Sequence, residues 1–192
     1  MKPNQLVFLV FLFLFVGGGI FVLVKIKNPH PKKESLTITI QEKSSTMKLS
    51  SSAFTHNQTI PAKYTCDGEN VNPPLTITDV LTDSKSLTLI VDDPDAPAGT
   101  WVHWTVWNIS PDTKQIAENS VPSNVIQGKT SFGNSGYGGP CPPSGTHRYF
   151  FKLYALDTTL SLGQNATKQD LEKAFVGHIL DQAELIGLYS RK

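Results

Sequence analysis

The sequence has few cysteines, few charged residues and no basic cluster beyond its first segment. Cys66 and Cys141 are the only cysteines among 192 residues, and Asp, Glu, Lys and Arg together make up 17% of the chain. Five of the seventeen basic residues lie within positions 1–34, so the chain from Ser35 onward carries twelve basic and fifteen acidic residues. A nucleic-acid interface needs clustered lysine and arginine. This charge distribution argues against DNA or RNA binding.

Several catalytic and metal-binding motifs are missing as well. No HxxxH or HxH spacing presets a metal site, and no G-x-S-x-G sequence marks a hydrolase nucleophile. Ser144 lies in a glycine-rich stretch, where a serine is usually a turn residue and not a nucleophile. The sequence shows no internal repeat. It also lacks the alternation of strands and helices that would predict a parallel nucleotide-binding sheet. We therefore expect no metal, no cofactor and no enzymatic turnover.

The N-terminal segment is strongly apolar. After a short flank at residues 1–5, Leu6 to Val24 contains nineteen residues without a charge, about the length that an α-helix needs to cross a bilayer. The apolar run continues past three glycines, which favours an uncleaved transmembrane anchor over a signal peptide. Residues 25–46 are basic and then polar, as in a tether. We expect a single-pass membrane protein with its domain outside the cytoplasm, although the lysines after the span favour the opposite orientation.

Residues 47–192 have the pattern of a β-rich domain. Short runs rich in β-branched and aromatic residues, separated by Pro, Gly, Asp and Asn, predict strands at Leu75–Thr78, Ser86–Val91, Val102–Ile109 and Tyr149–Leu156. Apolar residues at three- to four-residue spacing predict one helix over Lys168–Leu185, with Thr167 as its N-cap. Ile186 to Tyr189 then forms a closing strand.

The stretch from Gly133 to Asp157 indicates a binding site. Its first part is rich in glycine and proline, which excludes a regular helix or a central strand, and its second part is a strongly apolar strand. Long irregular loops within compact domains are uncommon and are usually functional or disordered. We predict that this loop forms one side of a pocket.

Two further segments place polar residues at strand ends. Ile90 to Pro97 reads IVDDPDAP, so three carboxylates follow an apolar strand within four positions, an arrangement that needs cations or donors nearby. In WVHWTVWNIS, alternation places His103, Thr105 and Trp107 on one face of a strand. His147 stands where the glycine-rich loop meets the next strand. These groups are predicted to converge on one pocket, the alternatives being a solvated turn and two structural histidines.

Such a pocket suits a small phosphate ester that carries an amine. Imidazoles and the backbone N–H groups of a glycine-rich loop donate hydrogen bonds, and aspartates orient imidazoles or accept an ammonium group. A metal site is the competing interpretation, because His and Asp are ordinary metal ligands.

Several motifs, in the same order, resemble the phosphatidylethanolamine-binding protein family, and more closely its bacterial Raf-kinase-inhibitor-like branch. They are YTCDGENVNPPL, DDPDAP, the W-x-H strand, GPCPPSGTHRY with YALD, and GHILDQAEL, and the similarity spans roughly Lys48 to Arg191. The resemblance implies a mainly β fold, a Greek-key β-sandwich with peripheral helices, to which the predicted N-terminal transmembrane helix is added. It also implies a small anion-binding pocket near the C-terminal segment.

The resemblance assigns the ligand-binding residues one by one. They are Asp93, Asp95, Pro97, Trp101, His103, Gly139, Pro142, Pro143, His147 and Tyr149. The expected function is non-enzymatic binding of a small anion or phospholipid headgroup. The alternatives are a protein-interaction module that inhibits a kinase or protease through an unknown protein partner, and a weak hydrolase. Cys66 and Cys141 form a disulfide if the domain is exported, and remain thiols if it is cytoplasmic.

Overall fold

The computed structural model describes residues 46–191, which form nine β-strands and one α-helix. The strands are β1 Lys48–Ser50, β2 Gln58–Thr59, β3 Leu75–Thr78, β4 Ser86–Asp93, β5 Trp101–Ile109, β6 Gln115–Ile116, β7 Ile126–Gln127, β8 His147–Leu156 and β9 Ile179–Tyr189, and the helix is α1, Lys168–Phe175. A short 3-10 helix, Ala62–Tyr64, precedes β3. The four long runs predicted as strands are all strands.

The strands form two sheets that enclose the main core. The smaller sheet has the order β1-β3-β6 and the larger one the order β2-β9-β8-β4-β5-β7. Apolar side chains of both sheets pack into one cluster, for example Leu49 and Ile77 from the small sheet with Val91, Trp104 and Phe151 from the large sheet. Every pairing is antiparallel except that of β2 with β9. Burial of these side chains is the main stabilising contribution to the fold.

The second face of the large sheet is covered by α1. Leu171 and Phe175 of the helix pack on Ile90, Trp107 and Leu156 of the sheet, and these residues form a second buried cluster. All eight residues of β4 are buried, because this strand has the small sheet on one side and the helix on the other. A strand covered on both faces shows no alternation of apolar and polar residues.

The fold prediction is wrong about its helices. Within residues 46–191 the fold is mainly β with one α-helix, and that helix ends at Phe175 instead of extending to Leu185. Gly177 adopts a φ of 81°, a left-handed conformation that ends a helix and that glycine reaches without steric cost. From Ile179 onward the chain pairs with β8 along the whole length of β9. Sheet pairing therefore overrides the helical spacing of the apolar residues, as tertiary contacts commonly do.

The predicted transmembrane helix is also not supported. Within residues 46–191, no helix is long and apolar enough to cross a membrane. This finding corrects both the predicted fold class and the predicted location as a single-pass membrane protein with an extracytoplasmic domain. The segment 6–24 on which both predictions depended, like the flank at 1–5 and nearly all of the tether at 25–46, lies outside the described residues.

Candidate functional site

A cavity of about 450 Å³ opens where the ends of three neighbouring strands meet. Because β4 is antiparallel to both β5 and β8, its last residues adjoin the first residues of those two strands. The lining residues are Asp93, Ala96, Pro97, Ala98, Trp101, His103, Phe132, Cys141, Pro143, His147 and Tyr149. Seven of the ten residues assigned by resemblance are in this set, and the acidic turn, both histidines and the glycine-rich loop come together there.

An irregularity in β5 directs His103 toward the cavity. Val91 pairs with Trp104 and Asp92 pairs with Val102, so β5 carries one extra residue at position 103. Such a β-bulge interrupts the alternation of side chains and re-aims one of them. The prediction that His103 shares a face with Thr105 and Trp107 is therefore wrong, because the bulge places its ring against Tyr149 in the cavity, with ring centroids 5.2 Å apart.

His147 and Asp93 form a buried pair. Nδ1 of His147 lies 2.7 Å from Oδ2 of Asp93, and the two side chains are only 9% and 5% exposed. A carboxylate accepts hydrogen bonds, so Nδ1 carries the proton and Nε2 is the free nitrogen of the ring. The second carboxylate oxygen of Asp93 accepts the backbone N–H of Asp95 at 2.8 Å. Asp93 therefore has a partner on each oxygen, and it fixes the orientation of the His147 ring.

His103 has a different partner and a different protonation preference. Its Nδ1 lies 2.6 Å from the carbonyl oxygen of Gly138, and because a carbonyl only accepts, Nδ1 is the donor. Burial lowers the pKa of His103, an effect that the hydrogen bond to Gly138 opposes but does not reverse. The ring is therefore neutral at physiological pH, and its Nε2 carries a lone pair that accepts a hydrogen bond.

Tyr149 contributes a donor without an acceptor. Its side chain is fully buried, and its hydroxyl has no hydrogen-bond partner among the residues that the structure describes. Burial raises the pKa of Tyr149 far more than the nearby Cys141 backbone lowers it, so the hydroxyl keeps its proton. Buried hydroxyl groups in proteins usually have a partner. A ligand in the cavity is well placed to supply one.

Two aromatic rings form the rim. Trp101 is 36% exposed and Phe132 is 45% exposed, and their rings meet edge to face with centroids 5.5 Å apart. Phe132 also contacts the edge of the His103 ring at 5.4 Å. With Pro97 and Pro143, these rings make the entrance of the cavity largely apolar, above a polar floor of imidazoles and hydroxyl.

Asp95 lies outside the cavity lining and binds Arg148. Its two oxygens accept from Nη2 at 2.7 Å and from Nε at 2.9 Å of the Arg148 guanidinium, and the backbone N–H of Arg148 adds a third bond at 2.9 Å. The hydrogen bonds from Arg148 lower the pKa of Asp95 to about 2. This pair ties the turn after β4 to the start of β8, so Asp95 acts next to the site and does not orient an imidazole.

Gly139 and Pro142 also lie outside the cavity lining. Both belong to the pocket loop, residues 133–146, and both are buried. A Cβ at position 139 would lie 2.5 Å from the carbonyl oxygen of Tyr64, so only glycine fits there. The N–H of Gly139 donates to Oδ1 of Asn70 at 2.7 Å, and that of Gly138 donates to the carbonyl of His103 at 2.9 Å. Both amides are engaged within the protein, contrary to the expectation that the loop offers its N–H groups to a ligand.

The partners of these residues were not identified from the sequence. Asn70 and the Gly138 carbonyl hold the loop and the His103 ring, and Arg148 holds Asp95. The sequence signal for these partners is the cluster of carboxylates at 92–95, which predicts cationic side chains nearby. In the structure, Arg148 pairs with Asp95, and Lys152 and Lys168 pair with Asp92. Within residues 46–191, no group of three or more His, Cys, Asp or Glu side chains is arranged to hold a metal ion.

Comparison with known proteins identifies similar sequences over most of the domain. The family model described as phosphatidylethanolamine-binding protein matches residues 50–190. A protein named UPF0098 protein from Methanothermobacter thermautotrophicus is 51% identical over 150 residues, covering 76% of this chain and 99% of its own length. A protein of the same name from Aquifex aeolicus is 46% identical over 152 residues, covering 76% of this chain and 89% of its own.

Two solved structures are similar in both sequence and fold. The phosphatidylethanolamine-binding protein homolog CT736 of Chlamydia trachomatis has a TM-score of 0.74 and 44% identity, and the match covers 78% of this chain and 100% of that one. YbcL of E. coli, described as a new member of the mammalian PEBP family, has a TM-score of 0.72 and 29% identity, with 76% and 99% coverage.

Proposed function

Since the chain belongs to the phosphatidylethanolamine-binding protein family, we propose that its cavity binds, without turnover, a small ligand carrying a phosphate or carboxylate group, such as a phospholipid headgroup. The observation that carries the proposal is the Tyr149 hydroxyl, which is buried beside two imidazoles and has no partner among the described residues. Leaving such a donor unpaired costs about 1–3 kcal/mol. An anionic oxygen in the cavity removes that cost.

The anion is held by two donors of different kinds. The Tyr149 O–H donates one hydrogen bond to a ligand oxygen. His147, whose ring is oriented by the hydrogen bond between Nδ1 and the Asp93 carboxylate at 2.7 Å, supplies the second from Nε2 when the ring carries both protons. Hydrogen bonds between a charged donor and an anionic oxygen are roughly twice as strong as neutral ones.

His103 gives the cavity an acceptor beside these donors. Because its Nδ1–H is bonded to Gly138, neutral His103 presents Nε2 as a lone pair. A ligand that combines an anionic oxygen with a nearby N–H donor, such as phosphoethanolamine, satisfies both sides of the cavity. The aspartates do not fill this role, since Asp93 has a partner on each oxygen and Asp95 binds Arg148. His103 is therefore the residue that accepts from the ammonium group.

The entrance favours a ligand with an organic substituent. Trp101 and Phe132 are exposed at the rim, and Pro97 and Pro143 of the cavity lining add apolar surface. An anion that binds deep in the cavity leaves its substituent between these groups. Contact with the rim then adds apolar burial to the polar contacts of the floor.

The exposed rim also supports a second candidate, a protein-docking surface for a kinase or protease. Aromatic residues are common anchors at protein interfaces. In that case binding of a protein partner depends on Trp101 and Phe132 and persists when His147 is replaced. A dependence on His147 with no contribution from the rim argues against the docking function.

Weak hydrolysis is a third candidate, favoured by the Asp93–His147 pair alone. An imidazole oriented by a carboxylate is able to act as a general base toward a water molecule. Cys141 is in a disulfide bond, so no free thiol lines the cavity in the part of the chain that the structure describes. Release of inorganic phosphate from phosphoethanolamine, lost in both His147→Ala and Asp93→Asn, would establish this activity in place of binding.

Calorimetric titration of the full-length chain with inorganic phosphate and phosphoethanolamine tests the binding proposal. The test variant is His147→Ala, and the matched control is His178→Ala, because His178 also pairs with an aspartate at 2.7 Å but is exposed and far from the cavity lining. Saturable binding is expected in the wild type and in His178→Ala and not in His147→Ala. Equal binding by all three proteins, or by none, would refute the proposal.

A further inference from the structure

The single disulfide bond joins the cavity to a turn on the surface. Cys66 and Cys141 are bonded, with Cα atoms 5.4 Å apart, and they are 75 positions apart in the sequence. Cys141 lines the cavity, whereas Cys66 belongs to a turn that follows the 3-10 helix. Both residues are exposed to solvent, so a reductant in solution is able to reach the bond.

The first half of the pocket loop is held independently of this bond. The Tyr137 hydroxyl donates to the carbonyl of Tyr64 at 2.9 Å. The amides of Gly138 and Gly139 donate to His103 and Asn70, and the carbonyl of Pro140 accepts the N–H of Cys66 at 3.1 Å. Residues 137–140 therefore have a hydrogen bond at each position, and they keep their place if the disulfide opens.

The second half of the loop lacks such support. Residues 142–146 make no hydrogen bond or ion pair to any other described residue. Pro142 is buried by packing, but the segment is otherwise held by the disulfide at Cys141 and by the start of β8 at His147. It carries Pro143 of the cavity lining. The position of residues 142–146 therefore depends on the disulfide more than the positions of the other parts of the cavity do.

The turn on the other side of the bond is well anchored. The amides of Thr65 and Gly68 bond to Ala62 and Thr65 within the turn at 3.0 Å each. The Asp67 carboxylate accepts from the Tyr189 hydroxyl at 2.8 Å and from Nε of Arg191 at 3.1 Å, which ties the turn to the end of the chain. When the disulfide opens, the loop segment 141–146 on the Cys141 side of the bond gains freedom, and the turn on the Cys66 side stays in place.

From this asymmetry we infer that Cys66–Cys141 is a thiol-exchange site whose reduction releases one side of the cavity and weakens ligand binding. The reductant is a dithiol, either a small molecule or a redox protein. One of its thiolates attacks a sulfur of the bond, breaking S–S and forming a mixed disulfide, and its second thiol then displaces the remaining cysteine. The dithiol becomes a disulfide, and both cysteines become thiols. The inference rests on the proposed binding function.

Weaker binding follows from the cost of ordering the released segment. In the oxidised protein the position of residues 142–146 is already fixed before a ligand enters. In the reduced protein the ligand has to order these residues when it binds, and this loss of conformational entropy reduces its affinity. The two histidines keep their own partners in either state, so the effect is a change in affinity and not a loss of the site.

Two readouts on the full-length chain test the inference. Phosphate affinity is measured by calorimetry before and after dithiol treatment, and backbone order parameters of the pocket loop are measured by NMR in both states. The matched control is the Cys66→Ser, Cys141→Ser double variant, because the chain has no other cysteine for the dithiol to act on. Residues 138 and 139, with hydrogen-bonded amides, serve as the internal reference for the loop.

Reduction is expected to lower phosphate affinity about fivefold or more, the usual range for coupling between two sites. The double variant should bind like the reduced wild type and should not respond to dithiol. Order parameters of residues 144–146 should fall below about 0.6 while those of 138 and 139 stay near about 0.85. Equal affinity in both redox states, or unchanged order parameters, would overturn the inference. If phosphate binds in neither redox state, the proposed function is refuted. The order parameters then still decide whether reduction releases residues 142–146.

Discussion

Asp92 and Asp93 are neighbours in the chain, yet their carboxylates lie on opposite faces of the large sheet. Asp93 bonds to His147 in the cavity, while Asp92 accepts from Nζ of Lys152 at 2.8 Å and from Nζ of Lys168 at 2.6 Å. Lys168 is the first residue of α1. One dipeptide at the end of β4 therefore orients a histidine of the site and anchors the helix, and the two roles can be tested separately.

We expect Asp92→Asn to destabilise the fold and to spare the cavity. Asp92 is fully buried, and its replacement removes the charge partner that it supplies to both Lys152 and Lys168, whose side chains are partly buried. The free energy of unfolding should fall by about 3 kcal/mol, measured by denaturant titration. Phosphate affinity of the folded protein should change much less than its stability, because the Asp92 carboxylate binds Lys168 of α1 and does not line the cavity.

The matched control for Asp92 is Glu172→Gln. Glu172 also pairs with Lys168, at 3.5 Å, but its side chain is 45% exposed. An exposed pair of this kind contributes at most about 1 kcal/mol. If Glu172→Gln and Asp92→Asn were equally destabilising, Asp92 would not anchor the helix.

Tyr149→Phe is expected to reduce ligand affinity without reducing stability. The variant removes a buried hydroxyl whose proton has no acceptor in the described part of the chain, so the fold is relieved of a desolvated donor. Phosphate affinity should fall about tenfold, because a hydrogen bond to a charged group is lost. Thermal unfolding with and without phosphate measures both effects.

Tyr154→Phe is the control for this prediction, since Tyr154 stacks on Phe175 beneath α1, away from the cavity lining. It should leave phosphate binding unchanged. A Tyr149→Phe protein that binds phosphate as well as the wild type would show that the hydroxyl does not contact the ligand.

The lowered pKa of His103 predicts how stability changes with pH. Burial places the pKa in the folded state below the value of about 6.5 in the unfolded chain. Between those two values the unfolded chain binds more protons, so the free energy of unfolding falls as the pH is lowered through this range. In His103→Gln this loss is absent. The wild type should therefore lose stability relative to the variant as the pH falls below about 6.5, as measured by urea titration. Parallel profiles would contradict the assignment.

The ion pair of Asp95 with Arg148 predicts an effect at lower pH. The pKa of Asp95 is about 2 in the folded state, against about 3.9 for an unperturbed aspartate. Its contribution is therefore present above the unfolded value and is lost as the pH falls toward about 2. The contribution should not exceed about 1 kcal/mol because the pair is partly exposed to solvent. Acid titration of Asp95→Asn should give a flatter stability profile in this range than the wild type, and an unchanged profile would contradict this account.

Several parts of the site could be predicted from local sequence. The four long strands, the acidic turn and the glycine-rich loop have strong local signals, and antiparallel pairing of β4 with β5 and β8 brings their ends together. The family resemblance, carried by several motifs in order, is confirmed by the match over residues 50–190. Proline and glycine residues that mark the ends of strands were sufficient to locate these elements in the sequence.

Other parts depend on contacts that a sequence pattern does not contain. The bulge at His103 arises from pairing with β4. The helix α1 ends at Phe175, shortly before Gly177, because the residues from Ile179 onward pair with β8. The distinction between residues that line the cavity and residues that support it, such as Asp95 and Gly139, depends on distant partners. Those partners, Arg148 and Asn70, are 53 and 69 positions away in the sequence.

The most direct test of the account is the NMR response of the His103 and His147 ring signals in the full-length chain as inorganic phosphate is added. The two rings line one cavity and have separate partners, so a ligand that enters it has to perturb both. Both signals should shift together along one saturation curve, while those of His178 stay unchanged. If neither ring responds, or if each follows its own curve, phosphate does not bind between them and the proposed function is wrong.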